Sequence, residues 1–199
     1  MSKRPAEDAL SGEGSSSGKK AKKELSASAA DAAKTLLGMP GLPADFSPKI
    51  AIILGSGMSG IAKVIASQVV VPYGDLPGFP VSTVSGHAGN FVMGTLGGAH
   101  VACMQGRVHN YEGGNPRKVL LPIYTLRKMG CEILLATTAV GSTRDENGPG
   151  SIVVVNDHIN FQGVNPLVGE NDPIGLRFPS MLNAYDKDLR NLLHKCAAE

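Results

Sequence analysis

Three glycines follow a short apolar run and satisfy the spacing G-x-G-x-x-G, as Gly55, Gly57 and Gly60. The run before them, residues 50–54, is typical of a buried strand, and residues 61–66 after them are typical of a helix. Backbone N–H groups in such a glycine loop can hold a phosphate. The loop therefore predicts an anion site, which could serve either a dinucleotide cofactor or free phosphate as a reactant.

A dinucleotide site needs an acidic side chain about 20 residues further on, where it holds a ribose hydroxyl. Asp75 has this spacing, but residues 73–80 around it contain two prolines and two glycines, which indicate a turn rather than a strand end. Free phosphate is therefore favoured, with the hydroxyl of Ser56 as a further donor. A glycine-rich turn that binds nothing is the structural alternative.

A second segment, residues 105–113, places Arg107, His109 and Tyr111 two residues apart. Residues with this spacing share one side of an extended segment. Arginine can bind phosphate through two N–H groups, histidine titrates near neutral pH, and tyrosine can hydrogen-bond a sugar hydroxyl. We predict a phosphate and sugar site here. The alternative is a charged strand end in which Arg107 pairs with Glu112.

Two further segments are built from small residues that a ligand could approach closely. Residues 85–90 carry His87 between small neighbours, and residues 136–142 follow a predicted buried strand. Tight packing or a solvent-facing turn would also explain either segment. Because α/β folds place ligands at the carboxyl ends of their strands, we expect the four segments to supply donors to one site.

Helices and strands alternate along the chain and position these segments. The predicted helices cover residues from 28 to about 37, 119–129 and 182–196, and the predicted strands cover 50–54, 69–71, 91–96, 100–105, 131–136 and 151–155. Strands alternating with helices predict an α/β fold with a mixed, mostly parallel central sheet flanked by helices.

The composition is that of a globular domain, with 42% hydrophobic and 18% charged residues in a chain of 199. A net charge of +2 does not favour nucleic acid as a partner. No apolar run reaches the roughly 18 residues of a membrane span. Three widely spaced cysteines without a C-x-x-C pair disfavour structural zinc and predict free thiols in a reducing compartment.

Residues 1–25 are rich in Ser, Gly, Lys and Glu, and predict a disordered tail ahead of a domain over residues 26–199. Basic clusters at residues 3–4 and 19–23 lie on either side of a flexible spacer and resemble a bipartite nuclear import signal. A solvated basic tail without a receptor is the alternative. We therefore expect a cytoplasmic protein, or a nuclear one if an import receptor binds the tail.

The segments together resemble purine nucleoside phosphorylases of the trimeric type. The motifs that carry the resemblance occur in that family's order, over residues 54–57, 85–89, 105–113, 156–160 and 177–179. The resemblance runs from about residue 30 to the end of the chain and implies a nucleoside phosphorylase-like fold. It also implies the reversible phosphorolysis of purine ribonucleosides or deoxyribonucleosides to a free base and the sugar 1-phosphate in purine salvage. Phosphate would be a co-substrate, with no metal or organic cofactor.

The resemblance assigns roles to individual residues. Five of them would bind phosphate: Ser56, His87, Arg107, His109 and the backbone at Ala139. Tyr111 would hold the ribose and would be catalytic together with His109. Phe178 would reach across the interface of a homotrimer and cover the sugar bound by a neighbouring subunit.

Departures from the family pattern leave alternatives open. Thr138 stands where the family usually has asparagine, and Ser142 stands where it usually has glycine, which is closer to methylthioadenosine phosphorylases. The family also continues for a substantial segment beyond the position of Glu199, so the resemblance implies that the C-terminal part of the fold and its base-reading residues are missing. A non-catalytic member that binds phosphate or associates with other subunits is therefore the alternative function.

Overall fold

The computed structural model describes residues 14–81, 89–112, 119–168 and 175–199. Within these ranges the helices are α1 (Gly14–Leu37), α2 (Leu120–Lys128) and α3 (Lys187–Ala197). The strands are β1 (Ile50–Leu54), β2 (Ala66–Pro72), β3 (Asn90–Leu96), β4 (Ala99–Gln105) and β5 (Ile133–Ala136). None of the helices in the described ranges has both the length and the apolar character needed to cross a membrane.

The strands form one mixed sheet in the order β2-β3-β4-β1-β5. The central strand β1 runs parallel to both of its neighbours, so that Ile50 lies opposite Val101 of β4 and Ile133 of β5. The pairs β2–β3 and β3–β4 are antiparallel. The mixed α/β fold predicted from the sequence is therefore confirmed, and the carboxyl ends of β4, β1 and β5 meet at one edge of the sheet.

Both faces of the central sheet carry buried side chains. On one face, Ala29, Ala32, Ala33 and Leu36 form an apolar stripe along α1 and pack in the same cluster as residues of α2 and of the sheet. On the other face, Ile52 and Cys103 pack against the 3₁₀ turn at Ser59–Val64. This two-sided packing fixes the strand ends from which the glycine loop and residues 105–113 begin.

The N-terminal region differs from the prediction. Helix α1 begins at Gly14 rather than at residue 28, so its first turns lie in the segment predicted to be a tail. Lysine, glutamate, leucine and alanine are frequent in residues 19–33 and are good helix formers, which explains the longer helix. Residues 1–13 lie outside the described residues. The helix predicted over residues 61–66 is instead the short 3₁₀ turn at Ser59–Val64.

The C-terminal third also differs from the prediction. Residues 151–155 form no strand, although they are rich in β-branched side chains, because no described strand lies beside them to share a ladder. The closing helix α3 begins at Lys187 and not at residue 182. Asp186 determines this start, since its side chain accepts hydrogen bonds from the backbone N–H groups of Asp188 and Leu189, both at 3.0 Å. The bond from Leu189 is the main cause that lowers the pKa of Asp186.

The three cysteines should differ sharply in reactivity. Burial raises the pKa of Cys103 and of Cys131 to about 11, whereas Cys196 on α3 is exposed. Because the thiolate is the nucleophile, we expect iodoacetamide at pH 8 to label Cys196 and to spare the other two. Peptide mapping by mass spectrometry measures this, with labelling of all three in denaturant as the control. Rapid native labelling of Cys103 would contradict the buried core.

Candidate anion site at the carboxyl ends of the parallel strands

The glycine loop, residues 55–60, is tied to the end of β5. The backbone N–H of Gly55 donates to the Thr137 hydroxyl oxygen at 2.9 Å, and that hydroxyl donates to the carbonyl oxygen of Ile53 at 3.3 Å. The backbone N–H of Thr137 donates to the same carbonyl at 2.9 Å. Thr137 therefore joins the ends of β1 and β5 where the loop begins.

The loop turns sharply and presents Ser56 to solvent. Met58 N–H donates to the carbonyl of Gly55 at 3.1 Å, and Gly57 has a φ of +82°, which closes a four-residue turn. Gly55 is needed for a different reason, since a Cβ there would lie 2.4 Å from the carbonyl oxygen of Thr137. Ser56, at the second position of the turn, is exposed. Its hydroxyl is therefore accessible to a ligand.

Arg107 extends from the end of β4 toward the end of β5. Its Nη1 donates to the carbonyl oxygen of Thr137 and its Nη2 donates to the hydroxyl oxygen of Thr138, both at 2.9 Å. Both acceptors are neutral, and within the described part of the chain no carboxylate pairs with this guanidinium. The half-buried positive charge is therefore oriented without being neutralised, as binding of an anion requires.

His109 is held by a carboxylate. Its Nδ1 lies 2.8 Å from Oε1 of Glu112, and its backbone N–H donates to the same oxygen at 2.8 Å. Both side chains are largely buried, at 16% and 5% exposure. The predicted alternative, in which Glu112 pairs with Arg107, is therefore wrong. A carboxylate at Nδ1 favours the tautomer that carries the proton there.

Tyr111 lies beside His109, but not by strand alternation. The chain turns into a 3₁₀ turn at Asn110–Glu112, so the extended row expected for residues 107–111 is interrupted. The rings of His109 and Tyr111 stack with centroids 4.7 Å apart and an angle of 20° between their planes. Tyr111 is 74% exposed, so its ring and hydroxyl are accessible at the surface of the site.

Three residues that the sequence did not single out support the site. Tyr73 is buried, and its hydroxyl donates to the carbonyl oxygen of Gly106 at 2.8 Å. Gly106 directly precedes Arg107, so this bond fixes the backbone from which the arginine extends. Burial is the main cause that raises its pKa. The side-chain amide of Gln105 donates to the Ser59 carbonyl at 3.3 Å and accepts from Asn90 at 3.3 Å, which connects β3, β4 and the glycine loop. A polar residue at the last position of a buried strand is the signal that could have identified Gln105.

Of the remaining predicted site residues, Ala139 adjoins Thr138, whose hydroxyl accepts from Arg107 and donates to the Ala139 carbonyl at 3.4 Å. Ala139 follows β5 in an exposed irregular segment, and Phe178 is 84% exposed with the Arg177 guanidinium 5.1 Å from its ring centroid. His87 lies in residues 82–88, outside the described residues. The described ranges contain no group of three His, Cys, Asp or Glu side chains that could hold a metal ion. The contacts therefore place Arg107 beside the glycine loop through their shared partner Thr137, and they place Tyr111 against His109, two residues further along the chain.

Similarity to known proteins shows the family to which this chain belongs. The sequence profile of the phosphorylase superfamily matches residues 49–199, and the chain belongs to that superfamily. Among curated relatives it is 49% identical over 154 residues to purine nucleoside phosphorylase 1 of Bacillus subtilis, which covers 77% of this chain and 57% of the relative. It is 42% identical over 150 residues to the purine nucleoside phosphorylase of Mus musculus, covering 73% and 52%.

Solved structures show the same similarity. Isoform 2 of the Schistosoma mansoni purine nucleoside phosphorylase, in complex with cytosine and ribose-1-phosphate, superimposes with a TM-score of 0.78 at 38% identity, over 86% of this chain and 60% of that one. A Schistosoma mansoni purine nucleoside phosphorylase in complex with inosine gives 0.77 at 37% identity, over 86% and 60%. The chain thus spans between about half and three fifths of the length of these four relatives.

Proposed function

We propose that this protein is a purine nucleoside phosphorylase, which cleaves a purine ribonucleoside or deoxyribonucleoside with phosphate in purine salvage. The observation that carries the proposal is the Arg107 guanidinium, oriented by two neutral oxygens beside the glycine loop that exposes Ser56. The relatives named as purine nucleoside phosphorylases, and the solved complexes with inosine and with ribose-1-phosphate, support the same reaction.

The geometry suits displacement of a base by phosphate. As the bond from sugar to base breaks, positive charge develops on the ribose, and a phosphate held against the sugar stabilises this charge before attacking the same carbon. Arg107 would hold the phosphate as an anion, and the Ser56 hydroxyl and the His109 side chain would complete its hydrogen bonds. Tyr111 would contact the ribose, since its exposed ring stacks on His109 at the surface of the site.

The proposed reaction exchanges one bond at one sugar carbon and changes no oxidation state. We therefore propose that inorganic phosphate is a co-substrate and that the reaction uses no metal or organic cofactor. His87 and the backbone at Ala139 are proposed as further phosphate contacts, which is the role that the family resemblance implies for them.

Release of hypoxanthine from inosine tests the proposal. We expect the product of the complete gene to release hypoxanthine only when phosphate is present, as measured by coupling to xanthine oxidase. Omission of phosphate is the control, and methylthioadenosine tests the related activity that Thr138 and Ser142 suggest. Failure to release hypoxanthine would exclude the proposed function, and release of adenine from methylthioadenosine alone would replace it.

A second candidate is a non-catalytic chain that binds phosphate or associates with other subunits. It is favoured because the 199 residues cover only 57% and 52% of the two relatives described above. Calorimetry separates the two candidates. Phosphate binding by the 199-residue chain without turnover of inosine supports the second candidate, and turnover by that chain overturns it.

We also propose a homotrimer in which Phe178 reaches a neighbouring subunit. The family resemblance implies this role for Phe178, and 84% of its side chain is exposed in the single chain, so a neighbouring subunit could reach it. Sedimentation analysis of the complete gene product should give a trimer that dissociates when Phe178 is replaced by serine, and a stable monomer would contradict the proposal.

The subcellular location is proposed as cytoplasmic, with nuclear import as a second possibility through residues 3–4 and 19–23. The second basic cluster lies on α1, so a receptor would have to recognise it as part of a helix or unwind it. Imaging a fluorescent fusion, with the lysines at 19, 20, 22 and 23 changed to alanine as the control, decides between the two. Equal distribution of both proteins would exclude the import signal.

A further inference from the structure

Tyr73 is a buried tyrosine that contacts the segment carrying Arg107, and the proposed reaction gives it no role. The residue is 1% exposed, and its ring packs against Phe79 and Phe91 with centroids 5.3 Å away in both cases. Its backbone N–H donates to the carbonyl oxygen of Gly89 at 2.7 Å. The ring packing and this backbone bond therefore hold the Tyr73 hydroxyl in one place.

The Tyr73 hydroxyl donates to the buried carbonyl oxygen of Gly106 at 2.8 Å. That oxygen and the backbone nitrogen of Arg107 belong to one planar peptide group, so fixing the oxygen restrains the Cα from which the arginine side chain extends. Gly106 has a φ of +97°, and glycine is the residue whose backbone is freest to change conformation. Burial raises the pKa of Tyr73, so the hydroxyl keeps its proton and remains a donor. The hydrogen bond therefore supplies a restraint that a glycine does not supply itself.

The other end of Arg107 is held by its side-chain bonds. Nη1 donates to the Thr137 carbonyl oxygen and Nη2 to the Thr138 hydroxyl oxygen, both at 2.9 Å. A fork of two hydrogen bonds requires both nitrogens to be in place at once, so a shift of the arginine backbone would weaken both bonds. Ligand-binding groups generally have to be held within about 0.5 Å of their productive position. The orientation of the guanidinium thus depends on the Gly106 backbone as well as on the two threonines.

We propose that Tyr73 is a positioning residue, whose hydroxyl holds the peptide group of Gly106 and thereby keeps the Arg107 guanidinium oriented for an anion. This inference deepens the proposed function and rests on it for the identity of the anion as phosphate. Tyr73 is buried, so it acts through the backbone of residues 106 and 107 rather than by touching the ligand. Because packing fixes the ring, loss of the hydroxyl alone should loosen the arginine.

Tyr73→Phe tests the proposal, because it removes the hydroxyl and keeps the ring. We expect it to weaken phosphate binding roughly three- to tenfold, the range that corresponds to the loss of one hydrogen bond. Calorimetric titration of the 199-residue chain with phosphate measures the change. The urea midpoint should also fall, since the buried Gly106 carbonyl loses this donor.

Thr125→Val is the matched control. The Thr125 hydroxyl is also buried and also donates to a backbone carbonyl at 2.8 Å, but its acceptor is Leu121 within helix α2. This variant therefore removes a comparable hydrogen bond away from the candidate site. It should lower the urea midpoint and leave phosphate affinity unchanged. Equal phosphate affinity of the two variants would overturn the proposal, because the Tyr73 hydroxyl would then contribute stability alone.

The terminal N–H groups of Arg107 provide a readout that needs no phosphate. Hydrogen bonds to both nitrogens slow the rotation of a guanidinium, so the unaltered chain should give separate NMR signals for Nη1 and Nη2, assigned by their loss in Arg107→Lys. We expect these signals to merge in Tyr73→Phe and to stay separate in Thr125→Val.

Separate signals in both variants would overturn the proposal. Merging in Tyr73→Phe alone, in a chain that binds no phosphate, would support the positioning of Arg107 and contradict the proposed function. The two proposals therefore fail separately.

Discussion

Replacing Gly55 with alanine is expected to destabilise the protein by about 1–3 kcal/mol, as overpacking of a rigid site does. The added Cβ would lie 2.4 Å from the Thr137 carbonyl oxygen and 2.9 Å from the Thr138 Cα, and both are backbone atoms that cannot rotate away. The clash would separate the ends of β1 and β5 and break the hydrogen bond from Gly55 to the Thr137 hydroxyl. Urea unfolding measures the loss of stability.

Gly60 provides a matched control in the same loop. A Cβ at Gly60 would meet nothing within 4 Å, so Gly60→Ala should change the free energy of unfolding little or raise it slightly by restricting the unfolded chain. We also expect Gly55→Ala to weaken phosphate binding in calorimetry, because Arg107 donates to the same carbonyl that the methyl group displaces. Equal stability of the two variants would show that the ends of β1 and β5 are not in this close contact.

Gly55 also shows what the sequence could and could not predict. The pattern of three glycines correctly predicted a sharp loop between β1 and the next element. It could not reveal that Gly55 is required by the close approach of β5, because the contact joins residues 82 positions apart. Gly57 fits the local prediction better, since its positive φ belongs to the turn itself.

The meeting of the glycine loop and Arg107 at Thr137 could be predicted because parallel strands end at the same edge of a sheet. The pairing of His109 with Glu112 could not, since it depends on a 3₁₀ turn at Asn110–Glu112 in a segment whose alternating residues indicated an extended chain. Local spacing thus identified the groups, and long-range or irregular backbone geometry determined their partners.

The misplaced strand over residues 151–155 has a different cause. Its β-branched sequence is favourable for a strand, but a strand needs a neighbour, and local propensity carries no information about whether one is present. Strand β5 shows the opposite difference. Its apolar sequence predicts a buried strand, but the structure exposes both of its faces.

Arg107→Lys is expected to weaken phosphate binding by roughly 10- to 100-fold, or about 1.4–2.8 kcal/mol. The arginine fork bonds Thr137 and Thr138 at 2.9 Å through two different nitrogens and still has further N–H groups for a ligand. A lysine keeps the charge, but its single nitrogen cannot hold both oxygens and orient a phosphate at the same time. Calorimetric titration of the 199-residue chain with phosphate at low ionic strength measures the change in affinity.

The control is Arg144→Lys, which changes an exposed arginine that pairs with Glu146 outside the candidate site and should leave phosphate affinity unchanged. If the decisive property of Arg107 were charge alone, both lysine variants would bind phosphate like the unaltered chain, and the site would be a nonspecific electropositive surface. If geometry decides, only Arg107→Lys loses affinity. Raising the salt concentration separates the two cases further. Salt screens interactions of exposed charges beyond a Debye length of about 8 Å at physiological ionic strength, but it screens partly buried charges much less. Phosphate binding by the oriented, half-buried Arg107 should therefore persist at salt concentrations that abolish binding to a nonspecific electropositive surface.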